Sequence, residues 1–377
     1  MPRRSTLYHV DGERGLRGGE RQLLYLAAAL RAGGRRNVVY CRAGSELEAE
    51  ARHQGFEVRS LPFFCELDLY SAARLAADAR RENAVIHSHT GHAAGIGALA
   101  SLAGAPFVAH RRVDFPVGLI ARAFKYALAA KTVAVSQAIA KILIESGFPE
   151  EKIAVVPDGI PVGAEENAWC QADSDRYKPP STEKRKEYRR ILSAELGIDP
   201  AMIWIGNLAA LVPHKDHDTL IAAAVLVLFQ RPNARFLIAG RGPQEPHLAA
   251  AIERLGLGGK VLLLGHREDA APLLKSLDIY VQSSWGEGMG SVLIEAAACG
   301  IPRAATTAGG IPEVVTDGET GLLAPPSNPE ALAGAIVRLI DDHALAKRLV
   351  ECGLSRLGRF GLKRMTADME RIYDAIH

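Results

Sequence analysis

The feature that most constrains this chain is an alternation. Short runs of branched and aromatic residues recur along it, each followed by a longer stretch of helical periodicity. In the first half the strand-like runs are residues 6–10, 37–41, 84–89, 106–110, 132–136 and 153–157, with helical segments such as "ERQLLYLAAALRA" from Glu20 between most of them. A second series follows at 202–209, 235–240, 260–265, 279–284 and 302–306, and three helical stretches (329–341, 343–352, 362–376) come after it. Strands separated by helices pair in parallel, and parallel sheets are covered on both faces. The predicted fold class is therefore α/β, with two tandem Rossmann-like doubly wound domains. Ligands of such sheets sit outside the carboxyl ends of the strands, so two facing domains are expected to enclose a central cleft.

A chain of 377 residues is too long for one ordinary core. Between the two series the rhythm fails: residues 160–200 are polar and charged, with Pro179-Pro180 among them. The expected division is a domain at 1–159, a linker at 160–200, a second domain at 201–361, and a helix at 362–377 crossing back to the first domain. Net charge is only +2, which gives nucleic acid no footing as a partner. Residues 1–158 nevertheless carry 21 Lys and Arg against 16 Asp and Glu. That surplus suits an anionic substrate or surface, although solvated arginines give the same sum. The five cysteines, Cys41, Cys65, Cys170, Cys299 and Cys352, are widely spaced and suggest neither a disulfide framework nor a zinc motif. The start "MPRRSTLYHVDG" runs straight into a strand, and no apolar run reaches about 18 residues. The cytoplasm is the expected compartment, with peripheral contact at the inner face of a membrane as a further expectation.

Several turns carry chemistry. Gly18-Gly19-Glu20 opens the first helix after the first strand, where bare amides favour a phosphate, or where a plain tight turn is needed. In the second half "LVPHKDHDTL" places Lys215 in a loop before a helix, and "AGRGP" places Arg241 between two glycines after a strand. "SSWGEGMGSVLIEAAACG" is the strongest signal. Gly288, Met289, Gly290 and Ser291 present amides at a helix start beside Glu287. Glu295 lies one turn inside a run of Val, Leu, Ile and Ala, where burial is expected. A buried carboxylate needs a partner, either a vicinal diol of a ligand or a Lys or Arg of the protein.

Other patterns are weaker. "GIGALA" (95–100) matches a dinucleotide fingerprint but begins well past its strand, so close helix packing is the better account. His87, His89 and His92 could ligate zinc, but lack a nearby carboxylate or cysteine, and strand-end histidines lining a cleft are expected instead. "DSD" at 173–175 falls in the polar stretch and reads as coincidence. The segment 110–131 joins His110, Arg111 and Arg112 at a strand end to a helix with Arg122 and Lys125. Packing of that helix on the sheet is expected, with an interfacial role against anionic lipid as the alternative.

Taken together, "EGMGSVLIEAAACGIP", "AGGIPEVV" and "GETGLLAPP" closely resemble the C-terminal signature of the family-4 retaining glycosyltransferases of GT-B fold. "GGERQLLYLAAAL", "VAVSQAIAKILIESGFPEEKIAVVPDGI", "LVPHKDHDTL" and "AGRGP" extend the likeness over nearly the whole chain except residues 160–200. The resemblance implies that Glu287 and Glu295 form the family's E-x7-E pair, with Glu295 on the ribose of a nucleotide-sugar donor and Glu287 on its sugar. It further implies that Gly19, Gly288, Met289, Gly290 and Ser291 hold sugar and diphosphate, with Lys215 neutralising the phosphates. His110 is the implied strand-end histidine near the anomeric carbon, with Arg111 and Arg112 as rivals for that place or as acceptor or phosphate ligands. The family's arginine five residues before the lysine is Ala210 here, so Arg241 or the 111–112 pair is expected to compensate.

The implied reaction is retaining transfer of a sugar from a nucleotide-diphosphate sugar to an acceptor hydroxyl. The implied co-substrate is that nucleotide sugar, with no separate cofactor and no metal. A saccharide or lipid-linked acceptor, in lipid or cell-envelope polysaccharide synthesis, is the expected partner. A nucleotide-sugar epimerase of the same fold and a non-catalytic sugar-nucleotide-binding protein are the alternatives.

Overall fold

The computed structural model describes residues 5–170 and 176–376, without the side chains of Ile120 and Asn167. The Asp-Ser-Asp stretch at 173–175 therefore lies outside the described residues. The chain divides into two compact units, one of Met1–Ser174 with Arg359–His377 and the other of Asp175–Gly358.

The first unit is built on seven strands: β1 (Thr6–Asp11), β2 (Asn37–Arg42), β3 (Glu57–Leu61), β4 (Ala84–Ser88), β5 (Phe107–Arg111), β6 (Lys131–Ala134) and β7 (Ile153–Val155). They pair in parallel in the order β3-β2-β1-β4-β5-β6-β7. Every residue of β1 and β4 is buried, as strands covered on both faces require. The sequence expectation lacks β3 for a physical reason. It is an edge strand, and its Glu57 and Arg59 pair with each other at the surface. The strand order reverses between β1 and β4, which makes their carboxyl ends the switch point of this sheet.

Helix Leu362–Ala375 belongs to this first unit. Its start is held by one buried carboxylate: Glu166 accepts from the amides of Val162 at 2.7 Å, Leu362 at 3.0 Å and Lys363 at 3.1 Å. An anion there meets the unsatisfied amides of the helix terminus and its positive dipole end. Further along, Arg35 pairs with Asp374 at 3.1 Å, and the Tyr373 hydroxyl lies 2.7 Å from His87 Nδ1. The polar stretch 160–200 carries two helices, Ala164–Trp169 in the first unit and Thr182–Leu196 in the second.

The glycines of "GIGALA" lie inside helix Gly91–Ser101, and both answer to packing. A Cβ at Gly95 would stand 2.4 Å from Glu66 O, and one at Gly97 2.5 Å from Ser88 Oγ. The segment after His110 is helical only over 119–126 and ends in a π turn, Arg122–Tyr126. Its cations turn onto the protein: Arg122 donates to Ser146 O at 2.9 Å and Lys125 pairs with Glu66 at 2.5 Å. That arrangement departs from the basic amphipathic face a membrane-surface helix would present.

The second unit has six strands: β8 (Ile203–Leu208), β9 (Ala234–Ala239), β10 (Val261–Gly265), β11 (Ile279–Gln282), β12 (Arg303–Thr306) and β13 (Leu322–Ala324). Their order is β10-β9-β8-β11-β12-β13, all parallel. The sequence expectation lacks β13 because its apolar run, Leu322–Ala324, is cut short by Gly321 and Pro325. Leu220, Val227, Phe236, Leu248, Ile279, Leu332 and Ile336 form the heart of a core between sheet and helices. The switch point lies between β8 and β11, so loops 209–217 and 283–290 emerge side by side.

Candidate active site

At the second unit's switch point the two loops are stitched together. Trp285 N donates to His214 O at 3.0 Å, and Ser283 Oγ to Lys215 O at 2.9 Å. This brings Lys215 and Glu287, 72 positions apart, into an ion pair of 2.5 Å with both side chains more than four-fifths buried. Glu287 Oε2 also accepts from Gln282 Nε2 at 2.6 Å and from Ser284 Oγ at 3.3 Å. Gln282 is itself oriented, because its Oε1 accepts from the Tyr280 hydroxyl at 2.7 Å. Beneath Lys215, His217 Nε2 donates to Asn207 Oδ1 at 3.0 Å while Asn207 Nδ2 donates to Val281 O at 2.8 Å. Burial, with Lys215 nearby, pushes His217 down to about 4, so it stays neutral. Gln282, Ser284 and Asn207 were not singled out in the sequence. Their signal is polar residues at the carboxyl ends of strands that are otherwise apolar.

The Glu287 loop rests on two glycines. Gly290 has φ +85 and precedes helix Ser291–Ala298. Gly309, at φ +49, leaves no room for a side chain: its Cβ would stand 1.9 Å from Glu287 O. Gly310 N donates to that same oxygen at 3.0 Å. The "AGGIP" motif is thus the floor under Glu287. Met289 is buried, and Ser291 begins the helix with its side chain half-buried. Glu295 lies one turn on, and here the structure corrects the expectation of burial. Its side chain is half-exposed, because the helix turns Leu293, Ile294 and Ala296 inward and Glu295 toward the surface.

Arg241 sits on the loop after β9, fixed against the neighbouring loop by Leu211 N donating to Arg241 O at 3.0 Å. Gly240 and Gly242 allow this approach: a Cβ there would meet Ala209 O at 1.8 Å and Leu211 O at 2.2 Å. Its backbone therefore adjoins Ala210. The exposed side chain runs toward Gly265 at the end of β10.

In the first unit Gly19 is the second residue of helix Gly18–Ala32, and the space beyond its Cα is open. Arg17 N donates to Glu20 Oε2 at 2.7 Å, closing the preceding turn. At the ends of β1, β4 and β5 four buried histidines gather: His9, His87, His89 and His110. His110 stacks near His87 at a centroid distance of 5.4 Å, and neither of its ring nitrogens has a hydrogen-bond partner among the described residues. Burial, then the Arg112 guanidinium and His87, hold His110 well below its ordinary value, so the imidazole is neutral. Arg112 donates from Nε to Asp158 at 3.0 Å and from Nη1 to His89 Nδ1 at 3.4 Å. Arg111 turns away, donating to the Tyr126 hydroxyl at 3.4 Å and to Phe115 O.

Asp11, at the end of β1, was not singled out in the sequence. It is wholly buried, accepts from Glu13 N at 2.8 Å, and is pushed up to about 8 by burial and then by Glu20. A pocket of about 280 Å³ opens beside this turn, with Arg14, Arg17, Arg42 and His92 among its walls. The histidines that approach metal-ligating geometry are His9, His87 and His89, with ring nitrogens within 4.8 Å of one another, rather than the 87, 89, 92 set. Hydrogen bonds already join His9 to His89, and the Arg112 guanidinium borders His89, so a cation at this point would be repelled.

Comparison with known proteins gives the family. The family described as Glycosyltransferase Family 4 matches residues 16–163, and that described as Glycosyl transferases group 1 matches residues 199–342. The chain is 28% identical over 214 residues to the lipopolysaccharide core biosynthesis mannosyltransferase LpsB of Rhizobium meliloti, covering 54% of this chain and 59% of that protein. It is 32% identical over 216 residues to the D-inositol 3-phosphate glycosyltransferase of Corynebacterium glutamicum, covering 54% and 50%. The chain thus spans about half the length of the curated relatives it matches. Among solved structures, HepE of Anabaena in complex with UDP and glucose is similar in fold, with a TM-score of 0.84 at 23% identity over 98% of this chain and 100% of that one. The two matches together take in both units, and the chain belongs to the family-4 glycosyltransferases of GT-B fold.

Proposed function

We propose that the protein transfers a sugar from a nucleotide-diphosphate sugar to an acceptor hydroxyl, with retention of anomeric configuration and without a metal. One observation carries the reading: the switch-point loops of the second unit bring Lys215 and Glu287 together beside the start of the helix that bears Glu295. A cation next to the amides of a helix start suits a diphosphate, whose charge grows as it leaves. Glu287, its Oε2 satisfied by three donors, keeps Oε1 for sugar hydroxyls. Glu295 is only partly buried, and its carboxylate suits the two hydroxyls of ribose. Gly288, Met289, Gly290 and Ser291 are proposed at sugar and diphosphate, and Gly19 at the diphosphate. Arg241 is proposed to supply by rotation the cation missing at Ala210.

In the first unit His110 is proposed at the reacting carbon. A neutral imidazole with both nitrogens unpartnered can accept or donate one hydrogen bond without a charge to offset. Arg112 is the stronger phosphate or acceptor candidate of the adjacent pair, since Arg111 is turned onto Phe115 and Tyr126. The acceptor is proposed to be a saccharide or lipid-linked saccharide of the cell envelope, as the relative named for lipopolysaccharide core synthesis supports. Cytoplasmic work, with or without peripheral membrane contact, accompanies that reading. Among the described residues no helix is long and apolar enough to cross a membrane.

A thermal-shift screen against UDP, GDP, ADP, CMP and NAD, with the corresponding nucleotide sugars, tests the proposal. A ligand at a hundred times its dissociation constant adds about 2.7 kcal/mol, a shift of several degrees. One nucleoside diphosphate and its sugars should shift the wild type and fail to shift Glu295→Ala. A screen in which nothing shifts, or in which NAD alone does, would overturn it.

A further inference from the structure

A chain of hydrogen bonds crosses the first unit's sheet through Asn37, His9, His89 and Arg112, and each link has a direction. Asn37 Nδ2 donates to Arg35 O at 2.7 Å, so its Oδ1 faces His9 Nε2, 3.0 Å away, as an acceptor. His9 Nε2 therefore carries the proton and its Nδ1 a lone pair. His89 Nε2 lies 3.0 Å from that lone pair and must donate. This leaves His89 Nδ1 as an acceptor, 3.4 Å from Arg112 Nη1, a group that can only donate. Tracing the links backwards from the guanidinium assigns the same two protons. Asn37, His9 and His89 are all buried, so no solvent competes for these bonds.

We propose that Asn37, His9 and His89 are positioning residues for Arg112: a one-way chain that locks both imidazoles as Nε2–H tautomers and presents His89 Nδ1 as a standing acceptor. With Nη1 held there and by His89 O, also at 3.4 Å, and Nε held by Asp158 at 3.0 Å, the guanidinium plane is fixed beside His110 and cannot turn without breaking a buried bond. Nη2 remains without a partner among the described residues. Inverting both imidazoles would set two N–H groups face to face at Arg112 and two lone pairs face to face at Asn37, and inverting one alone would set like groups face to face between the two rings. Both ends resist the flip, which is how a side chain three links away bears on the cation. The chain rests on the transfer reading only for what Arg112 holds.

Long-range nitrogen–proton correlation spectra of protein labelled at the histidine nitrogens test the first part. His9 and His89 should each be neutral with the proton on Nε2. A proton on Nδ1 of either ring, or on both nitrogens near neutral pH, overturns the proposal, and this measurement needs no variant and no substrate. The second part is read from rotation of the Arg112 guanidinium about its Nε–Cζ bond, seen as exchange of the Nη protons. His89→Phe, which keeps a ring in the stack, should speed that rotation by up to about tenfold, what a hydrogen bond of ordinary net strength holds back. His9→Phe, one link further off, should speed it less. A His89 that merely filled space would lower the melting temperature and leave the rotation alone, and unchanged rotation in the folded variant refutes the positioning role. Failure of the nucleotide screen would leave both readouts standing, so the two ideas fail separately.

Discussion

Acidification should undo the first unit sooner than the second. Four buried histidines of the first unit, His9, His87, His89 and His110, are held below their ordinary value by burial, His9 to about 4 and the others well below it. Their folded state refuses a proton that the unfolded chain accepts near 6.5, so their stability is present above that pH and lost as pH falls toward 4. Between pH 7.5 and 5.5 each costs about 1.4 kcal/mol, roughly 5.5 kcal/mol for the four. Asp11 works in the opposite sense. Its folded value of about 8 means that the fold gains a proton over the same range, which returns about 2.5 kcal/mol. Burial raises Asp158 as well, in the same direction. Ordinary carboxylates, with unfolded values near 4, are silent in this window. The net loss is therefore up to about 3 kcal/mol for the first unit, a fall of roughly 6–12 °C at this size. In the second unit His217 alone is held near 4, and about 1.4 kcal/mol or 3–6 °C is at stake. Scanning calorimetry from pH 7.5 to 5.5 at constant ionic strength, with the transitions assigned by histidine resonances, makes the comparison. A first-unit transition that stays put, rises, or falls less than the second would show that these imidazoles are not the neutral, buried groups described above.

Gly309→Ala forces a Cβ to within 1.9 Å of Glu287 O at a left-handed φ, and should cost the second unit at least about 2 kcal/mol and abolish its response to nucleotide in a melting assay. Lys215→Met leaves the Glu287 carboxylate buried without its cation, and a loss of about 3 kcal/mol is expected; adding Glu287→Gln should recover part of that loss, and purely additive urea-unfolding energies would disprove the coupling. Glu166→Ala removes the acceptor of three amides and should lower the first unit's stability by about 2–3 kcal/mol, with helix 362–375 losing amide-exchange protection before the sheet does. Uniform loss of protection across the first unit would argue against Glu166 as a local clamp.

Much of this was legible in the sequence. The alternation of strand and helix reports the sheets because parallel strands are apolar throughout, and β3 and β13 escaped because one is a charged edge and the other is cut short between Gly321 and Pro325. Glu287, Lys215 and the glycines around Met289 stood out as turn chemistry at strand ends. What could not be read was pairing at a distance. Nothing local to Lys215 says that its partner lies 72 residues on, and nothing local to His9 says that it meets His89, 80 residues away. Gly309 was quoted inside a motif, yet its reason, the absence of space under a carbonyl, exists only once both loops are placed. Glu295 misled because a run of Val, Leu, Ile and Ala suggests burial all round, whereas a helix covering a sheet turns only part of its circumference to the core.

The return of helix 362–375 to the first unit has a consequence for how the chain is made. The second unit precedes that helix in the chain, so all of it is polymerised before the helix exists. Until then Glu166 has only Val162 to cap, Arg35 lacks Asp374, and His87 is buried without Tyr373. The second unit, one uninterrupted span, has its whole core without that helix. The first unit begun is thus the second one finished, and a released chain truncated at residue 358 should hold a protease-resistant second unit behind a first that is still open to cleavage.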